Sequence, residues 1–103
     1  MTTLISSQRF VNDEIVAHKI TAQDFTVLLS PVFIIDGEEY QVVMDGHHSY
    51  HAALEAGVEP AYHVQNATEN DRISLLNEDV NLFLEACYHE DDWYNIKEGY
   101  TIW

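Results

Sequence analysis

Apolar residues cluster in two runs, residues 26–35 and residues 39–44, and a polar dipeptide lies between them. The first run is rich in Val, Leu, Ile and Phe and is broken only by Ser30-Pro31, where a strand is expected to bulge or lie at a sheet edge. Asp36-Gly37 is a tight-turn signal between strands. The pattern therefore predicts a β-hairpin.

The segment after the hairpin changes from strand to helix periodicity. Asp45-Gly46 ends the second strand, and Ser49–Ala56 is predicted to be a helix with Tyr50, Ala53 and Leu54 on one face. Gly57 is a typical residue to follow a helix C-terminus. Residues 60–64 then predict a short third strand.

The two ends of the chain give weaker patterns. Residues 10–16 predict a first short strand or an irregular arm, and residues 20–25 a brief helical turn capped by Thr21. Asn66 or Thr68 is predicted to begin a further helix, because Thr68 and Asp71 have the spacing of a capping box.

Residues 73–87 carry apolar side chains at three- and four-residue intervals, which predicts an amphipathic helix interrupted near Asn77. Together, these patterns predict an α+β fold, with a small mixed β-sheet packed with three or four helices. At 103 residues, the chain is expected to be a single domain over residues 1–103.

Composition indicates a folded globular chain, since 47% of the residues are hydrophobic. No apolar run approaches the roughly 20 residues of a membrane span, and the N-terminus lacks a signal-peptide pattern. Cys87 is the single cysteine, which excludes an internal disulfide and a four-cysteine zinc site. We expect a cytoplasmic protein.

The charge of the chain limits the kinds of partner that it is expected to bind. Four basic residues face 18 acidic ones, for a formal net charge of −14. Because phosphate backbones are bound by clustered Lys and Arg, and these four are scattered, direct nucleic-acid binding is not expected. The acidity either keeps a small protein soluble or docks it onto a basic partner such as a toxin or nuclease.

The C-terminal segment, Glu90–Trp103, is both acidic and aromatic. Its large side chains are too many to leave in water, so we expect them to pack on the core or on a partner. They are Trp93, Tyr94, Ile96, Tyr100, Ile102 and Trp103.

The turn from Asp45 to Ser49 carries the candidate chemistry. A strand, a glycine, a polar turn and a helix N-terminus follow one another, and free N–H groups at a helix N-terminus favour an anion. Gly46, His47 and Ser49 are candidates for an anion cradle. His48 could donate to a phosphate or transfer a proton, and Asp45 could act as a base or orient a histidine. Asp45, His47 and His48 could equally be structural.

A metal site is an alternative use of the same histidines. His47 and His51 are four residues apart and could share one helix face, as in zinc-binding helices. A third ligand would have to come from Asp45, His18, His63 or His89, none of which has a diagnostic spacing.

The stretch DGHHSYHAALEAGVEP resembles the ParB/sulfiredoxin-like superfamily, in which a strand runs into a Gly-x-x-Arg-type turn, an alanine-rich helix, Gly and a short strand. Some members, including free serine kinases of this fold, share the Asp-Gly-His-His stretch. The resemblance covers roughly residues 32–64. It implies that Gly46, His47 and His48 cradle the phosphates of a nucleotide such as ATP or CTP, with Asp45 as the acidic residue.

The chain departs from that superfamily at Ser49, where the nucleotide-using members place Arg. Losing a guanidinium removes a bidentate phosphate contact of about 1.5–3 kcal/mol. Short bacterial proteins with the same Asp-Gly-His-His-Ser stretch resemble this chain and are described as ADP-ribosyl-(dinitrogen reductase) hydrolase-like. That resemblance implies an ADP-ribose type of ligand.

The sequence therefore supports two functions. The first is binding of a nucleotide or phosphorylated small molecule at the turn, with hydrolysis or transfer of a phosphoryl or ADP-ribosyl group. The second is a non-catalytic acidic immunity, antitoxin or inhibitor protein that binds a basic protein, in which case Glu90, Asp91 and Asp92 would carry the interaction. The hairpin edge and the aromatic tail also suggest a homodimer.

Overall fold

A computed structural model describes residues 1–103 as one mixed six-stranded sheet with helices on both faces. The strands are β1 (Thr2–Ser6), β2 (Thr26–Leu29), β3 (Phe33–Ile35), β4 (Glu38–Asp45), β5 (Ala61–Val64) and β6 (Tyr94–Asn95). The helices are α1 (Asp13–Ala22), α2 (His47–Ala56), a 3₁₀ helix (Asp71–Asn77) and α3 (Val80–Cys87). The predicted α+β class with three or four helices is confirmed.

Strand β4 lies at the centre of the sheet, whose order is β5-β2-β4-β1-β6, with β3 also paired to β4. Both β2 and β3 run antiparallel to β4, so the predicted hairpin is confirmed. The first run is two strands rather than one, because Ser30-Pro31 interrupts the pairing. The Ser30 hydroxyl there accepts the N–H of Val42, 2.9 Å away.

The sheet has an apolar core on each face, as alternation along a strand requires. In β1, Ile5 packs with Phe83 of α3 on one face, while its neighbour Leu4 packs with Tyr50 of α2 on the other. Helix α1 packs against α2. No helix is long and apolar enough to cross a membrane.

The N-terminal predictions were wrong except that residues 10–12 form an irregular arm. The first strand is Thr2–Ser6 instead of residues 10–16, and residues 13–22 form a full helix that Asn12 caps by accepting from the N–H of Glu14 and of Ile15. Residues 20–25 therefore contain the end of α1 rather than a separate helical turn. Thr21 lies inside α1 and does not cap the N-terminus of a helix. The sequence does not show an alternation of apolar and polar residues in β1, because the adjacent Leu4 and Ile5 are both apolar and each faces a different core.

Later elements agree better with the sequence. Helix α2 ends at Ala56, as predicted, with Gly57 in the left-handed conformation (φ 71°), but it begins at His47 rather than Ser49, because Gly46 starts the helix. Strand β5 falls within the predicted strand. The interruption near Asn77 is confirmed, since the 3₁₀ helix ends there. The predicted start at Asn66 or Thr68 was wrong, because Asn70 caps the 3₁₀ helix. Leu54 was also misplaced, since it is 56% exposed.

Candidate functional site

The turn between β4 and α2 requires a glycine. Gly46 has φ +93°, and a Cβ at this position would lie 2.5 Å from the Thr26 carbonyl oxygen and 2.9 Å from the Val27 Cα. Both atoms belong to β2, the strand that pairs with β4. The neighbouring strand therefore fixes the path of the chain into α2, and any side chain at position 46 would collide with backbone.

The N-terminus of α2 is open. No side chain caps it, its first turn contains no acidic residue, and its start residue Gly46 has no side chain to offer. The Asp45 carboxylate instead accepts from the Gly46 N–H, 2.7 Å from its Oδ1. Free N–H groups and the positive end of the helix dipole together favour an anion here.

A cavity of about 250 Å³ opens beside this helix end, and it brings in a residue that the sequence did not predict. Lys19 of α1 lines it together with Gly46, His48 and the 2%-exposed Ser49. An adjoining cavity of about 190 Å³ shares Lys19, Gly46 and Ser49 and adds Asp24. Lys19 thus supplies the positive charge that Ser49, in place of an arginine, does not.

Lys19 is held by a neighbouring carboxylate. Its Nζ lies 2.9 Å from Asp24 Oδ2, and this hydrogen bond is the main reason that the pKa of Asp24 is lowered. Both side chains are more than one-third exposed, so an anion can compete with Asp24 for Lys19 at little cost.

His47 is almost completely buried, at 4% exposed, and neither of its ring nitrogens has a hydrogen-bond partner in the protein. Its ring packs edge to face against His51 and His48, with centroids 4.7 and 5.7 Å away. Burial, followed by the charges of His51 and His48, lowers the pKa of His47 to about 4, while Glu90 and the nearby Phe10 backbone act in the opposite direction. His47 is therefore neutral at physiological pH.

His48 connects two helices. Its Nε2 lies 3.1 Å from the Asn12 backbone nitrogen, which donates to it, so this nitrogen carries no proton and His48 is the Nδ1–H tautomer. Asn12 is also the N-terminal cap of α1. The predicted phosphate or acid/base role of His48 is thereby restricted to Nδ1, because Nε2 is engaged in holding α1 to α2.

The metal alternative finds no complete ligand set. No group of three His, Cys, Asp or Glu side chains is placed to hold a metal ion. His63 instead pairs with Glu69, with 2.7 Å between Nε2 and Oε2, and His18 lies on the outer side of α1 beside Glu14 and Thr21. Burial is the main reason that the pKa of His51 is lowered.

The acidic tail turns inward at its start. The Glu90 carboxylate accepts from the backbone N–H groups of Arg9 and Phe10, at 2.6 and 2.7 Å, and Asp91 pairs with Arg9 at 3.3 Å. Two of the three carboxylates predicted to bind a partner therefore hold the N-terminal segment in place. The predicted packing of the tail is confirmed for Trp93, Tyr94 and Ile96, which are buried, and for Ile102, which packs partly buried against the core. Trp103 is partly exposed, with its ring centroid 5.2 Å from that of Tyr40, and Tyr100 is 53% exposed.

A third cavity of about 110 Å³ lies on the other side of the turn, between β4 and α3. Asp45 and His47 line it, as they line the largest of the turn cavities, and Arg72 of the 3₁₀ helix joins them. Cys87 also lines this cavity, and burial raises the pKa of its thiol, so it is not an activated nucleophile.

No protein-family model, curated protein or solved structure matches this chain. The resemblance to the ParB/sulfiredoxin-like superfamily therefore stays a prediction that rests on the Asp-Gly-His-His stretch and on the order of strand, turn and helix. What can be argued about function rests on the geometry of the turn itself.

Proposed function

We propose that the protein binds a phosphorylated small molecule at the turn from Asp45 to Ser49. The observation that carries this proposal is the open N-terminus of α2, whose first residues line a cavity together with Lys19. Lys19 and the uncapped helix end favour an anion, whereas Asp45 and Asp24, which line the same cavities, oppose one, so the anion would have to bind on the Lys19 side, away from Asp45.

The size of the cavity limits what it encloses. At about 250 Å³, the cavity is below the roughly 300–1,000 Å³ of pockets that bury a drug-sized ligand. It suits a phosphate group with part of the attached sugar. A nucleotide of the ATP, CTP or ADP-ribose type would place its phosphates at the turn and leave its base at the surface, bound less tightly because a lysine replaces the bidentate arginine.

Asp45 is the residue that would act as the general base if the turn catalyses hydrolysis or transfer. Its carboxylate is exposed at the end of β4 and lines all three cavities around the turn, so it is placed to orient a water or a hydroxyl, or to accept its proton. The Nδ1–H of His48 would act as a donor. Hydrolysis or transfer of a phosphoryl or ADP-ribosyl group in the cytoplasm therefore stays part of the proposal.

Lys19→Gln is expected to weaken binding of a phosphorylated ligand by about tenfold or more, because a charge-assisted contact contributes about 1.5–3 kcal/mol. Ser49→Ala is expected to weaken it less, since it removes one neutral donor. Isothermal titration calorimetry with ADP-ribose, ATP, CTP, AMP and inorganic phosphate measures both effects.

Lys97→Gln is the matched control, because it removes the same charge from an exposed lysine that does not line the turn cavities. Binding by this variant should equal that of the natural protein. If none of the five ligands binds, or if Lys19→Gln and Lys97→Gln weaken binding equally, the turn is not a phosphate site.

Association with a basic protein is the second candidate, and the exposed sheet edge favours it. All four residues of β5 are exposed, including Tyr62 and Val64, and β5 is the last strand at its edge of the sheet. An open edge strand can pair with another chain, and the net charge of −14 would select a basic partner over a second copy.

A basic partner bound through charge should be retained on the immobilised protein in about 50 mM salt and released by about 500 mM, since the screening length falls severalfold. Light scattering of the protein alone detects the homodimer at the same time. Retention that does not change with salt, or capture only of acidic proteins, would rule out this candidate.

A further inference from the structure

The 110 Å³ cavity behind the turn has a polar lining that the proposed phosphate site does not use. Ser6 and Ser7 lie at the end of β1, His89 follows α3, and Arg72 approaches from the 3₁₀ helix. The cavity adjoins the 250 Å³ cavity, because Gln8, Asp45 and His47 line both of them. Its volume is that of a small polar group such as a carboxylate or a phosphate.

Arg72 is an unpaired cation in an acidic protein. Of the four basic side chains, Arg9 pairs with Asp91 and Lys19 with Asp24, whereas neither Arg72 nor Lys97 has a carboxylate within 4.0 Å. Of these two, only Arg72 lines a cavity at the turn. Its only side-chain hydrogen bond is from Nε to Asn70 Oδ1, 3.3 Å away, which leaves the two terminal nitrogens free. These are the nitrogens that bind a carboxylate or phosphate bidentately.

His47 lies where the two cavities meet, and it gives an independent indication of a ligand. It is 4% exposed, and neither ring nitrogen meets hydrogen-bond geometry with a protein group, including the nearby Phe10 backbone. A buried polar group without a partner costs about 1–3 kcal/mol, and it is rarely kept without a functional reason. Retaining such a group at the junction of two polar cavities points to a polar ligand that passes along it.

Asp45 limits which chemical group of that ligand can lie between the two cavities. As the carboxylate that lines all the cavities around the turn, it would repel an acidic group beside it and accept from a hydroxyl. Lys19 lies in the cavities on one side of the turn and Arg72 in the cavity on the other. The charges around the turn are therefore positive, negative and positive.

We propose that the ligand is a phosphorylated hydroxy acid, whose phosphate binds beside Lys19, whose hydroxyl donates to Asp45, and whose second acidic group binds Arg72. This inference rests on the proposed phosphate site and adds the class of its ligand. The second acidic group is a carboxylate or a second phosphate, and both are recognised by the same guanidinium.

Calorimetry with a matched set of probes tests it. The set contains 3-phosphoglycerate, glycerol 3-phosphate (which lacks the carboxylate), 3-phosphooxypropionate (which lacks the hydroxyl) and glycerol 1,3-bisphosphate. We expect 3-phosphoglycerate to bind about tenfold more tightly than glycerol 3-phosphate, as a charge-assisted contact predicts, and more tightly than 3-phosphooxypropionate. If glycerol 1,3-bisphosphate binds more tightly than 3-phosphoglycerate, the second acidic group is a phosphate rather than a carboxylate.

Arg72→Gln should remove the preference for 3-phosphoglycerate and leave the affinity for glycerol 3-phosphate unchanged, whereas Lys19→Gln should weaken both. Circular dichroism melting establishes that each variant is folded. Equal binding of all four probes, or a preference that persists in Arg72→Gln, would overturn the inference while the phosphate site stands. Absence of binding by every probe and by inorganic phosphate would overturn both.

Discussion

Gly46→Ala is expected to lower the free energy of unfolding by about 2–5 kcal/mol, through two separate effects. The left-handed conformation at φ +93° strains any residue with a Cβ, by about 1–2 kcal/mol. The new Cβ would also lie 2.5 Å from the Thr26 carbonyl oxygen, and overpacking against backbone adds about 1–3 kcal/mol. Chemical denaturation monitored by Trp fluorescence measures the sum.

Gly37→Ala separates the two effects. Gly37 lies in the turn of the β3–β4 hairpin with φ +80°, and no atom lies within 4 Å of the position that its Cβ would occupy. It should therefore show the conformational strain without the collision, a loss of about 1–2 kcal/mol. If the two variants lose equal stability, β2 does not press on the turn and Gly46 is needed only for its dihedral angles.

The parts of the fold that could be predicted are those whose cause is local. The hairpin follows from two apolar runs around Asp36-Gly37, and the order of strand, glycine and helix at Asp45 to Ser49 follows from adjacent residues. The C-terminus of α2 follows from Gly57. Each of these signals acts over a few residues, so a single sequence is enough to reveal it.

The parts that could not be predicted depend on which elements the fold brings together. Lys19 reaches the turn because α1 packs against α2, and no spacing links residue 19 to residues 46–49. Arg72 reaches the far side of Asp45 by way of the 3₁₀ helix. The hydrogen bond from the Asn12 N–H to His48 Nε2 could not be predicted either, because it depends on where α1 begins, and the sequence pattern misplaced that helix.

A fall from pH 7 to about pH 5 is expected to cost the protein about 2 kcal/mol of stability through His47 alone. The pKa of His47 is lowered from 6.5 to about 4, because burial and the neighbouring His51 and His48 disfavour its charged form. The unfolded chain therefore binds a proton near pH 6.5 that the folded protein does not accept until near pH 4. Stability is fully present above the unfolded pKa and falls between these values, by about 1.4 kcal/mol per pH unit.

His47→Leu removes this titrating group and replaces it with an apolar side chain that needs no hydrogen-bond partner. At pH 7 it should change stability little or increase it, since it also removes two buried nitrogens without partners. At pH 5 it should be more stable than the natural protein by about 2 kcal/mol. His63→Gln is the control, because His63 is exposed, pairs with Glu69 and lines none of the cavities at the turn. Unfolding by urea between pH 7 and pH 5 keeps the measurement above the range in which Asp24 and Glu90, whose pKa values are lowered, take up protons.

If the natural protein and His47→Leu lose stability in parallel over that range, His47 is hydrated or hydrogen-bonded in the folded state, and the interpretation of His47 as the buried junction between the two cavities is wrong. If only the His47→Leu profile is flattened, the pH-dependent difference measures the cost of protonating the buried His47. The difference between the two proteins at pH 7 measures the cost of the neutral imidazole without a partner, and that cost is what a bound ligand would relieve.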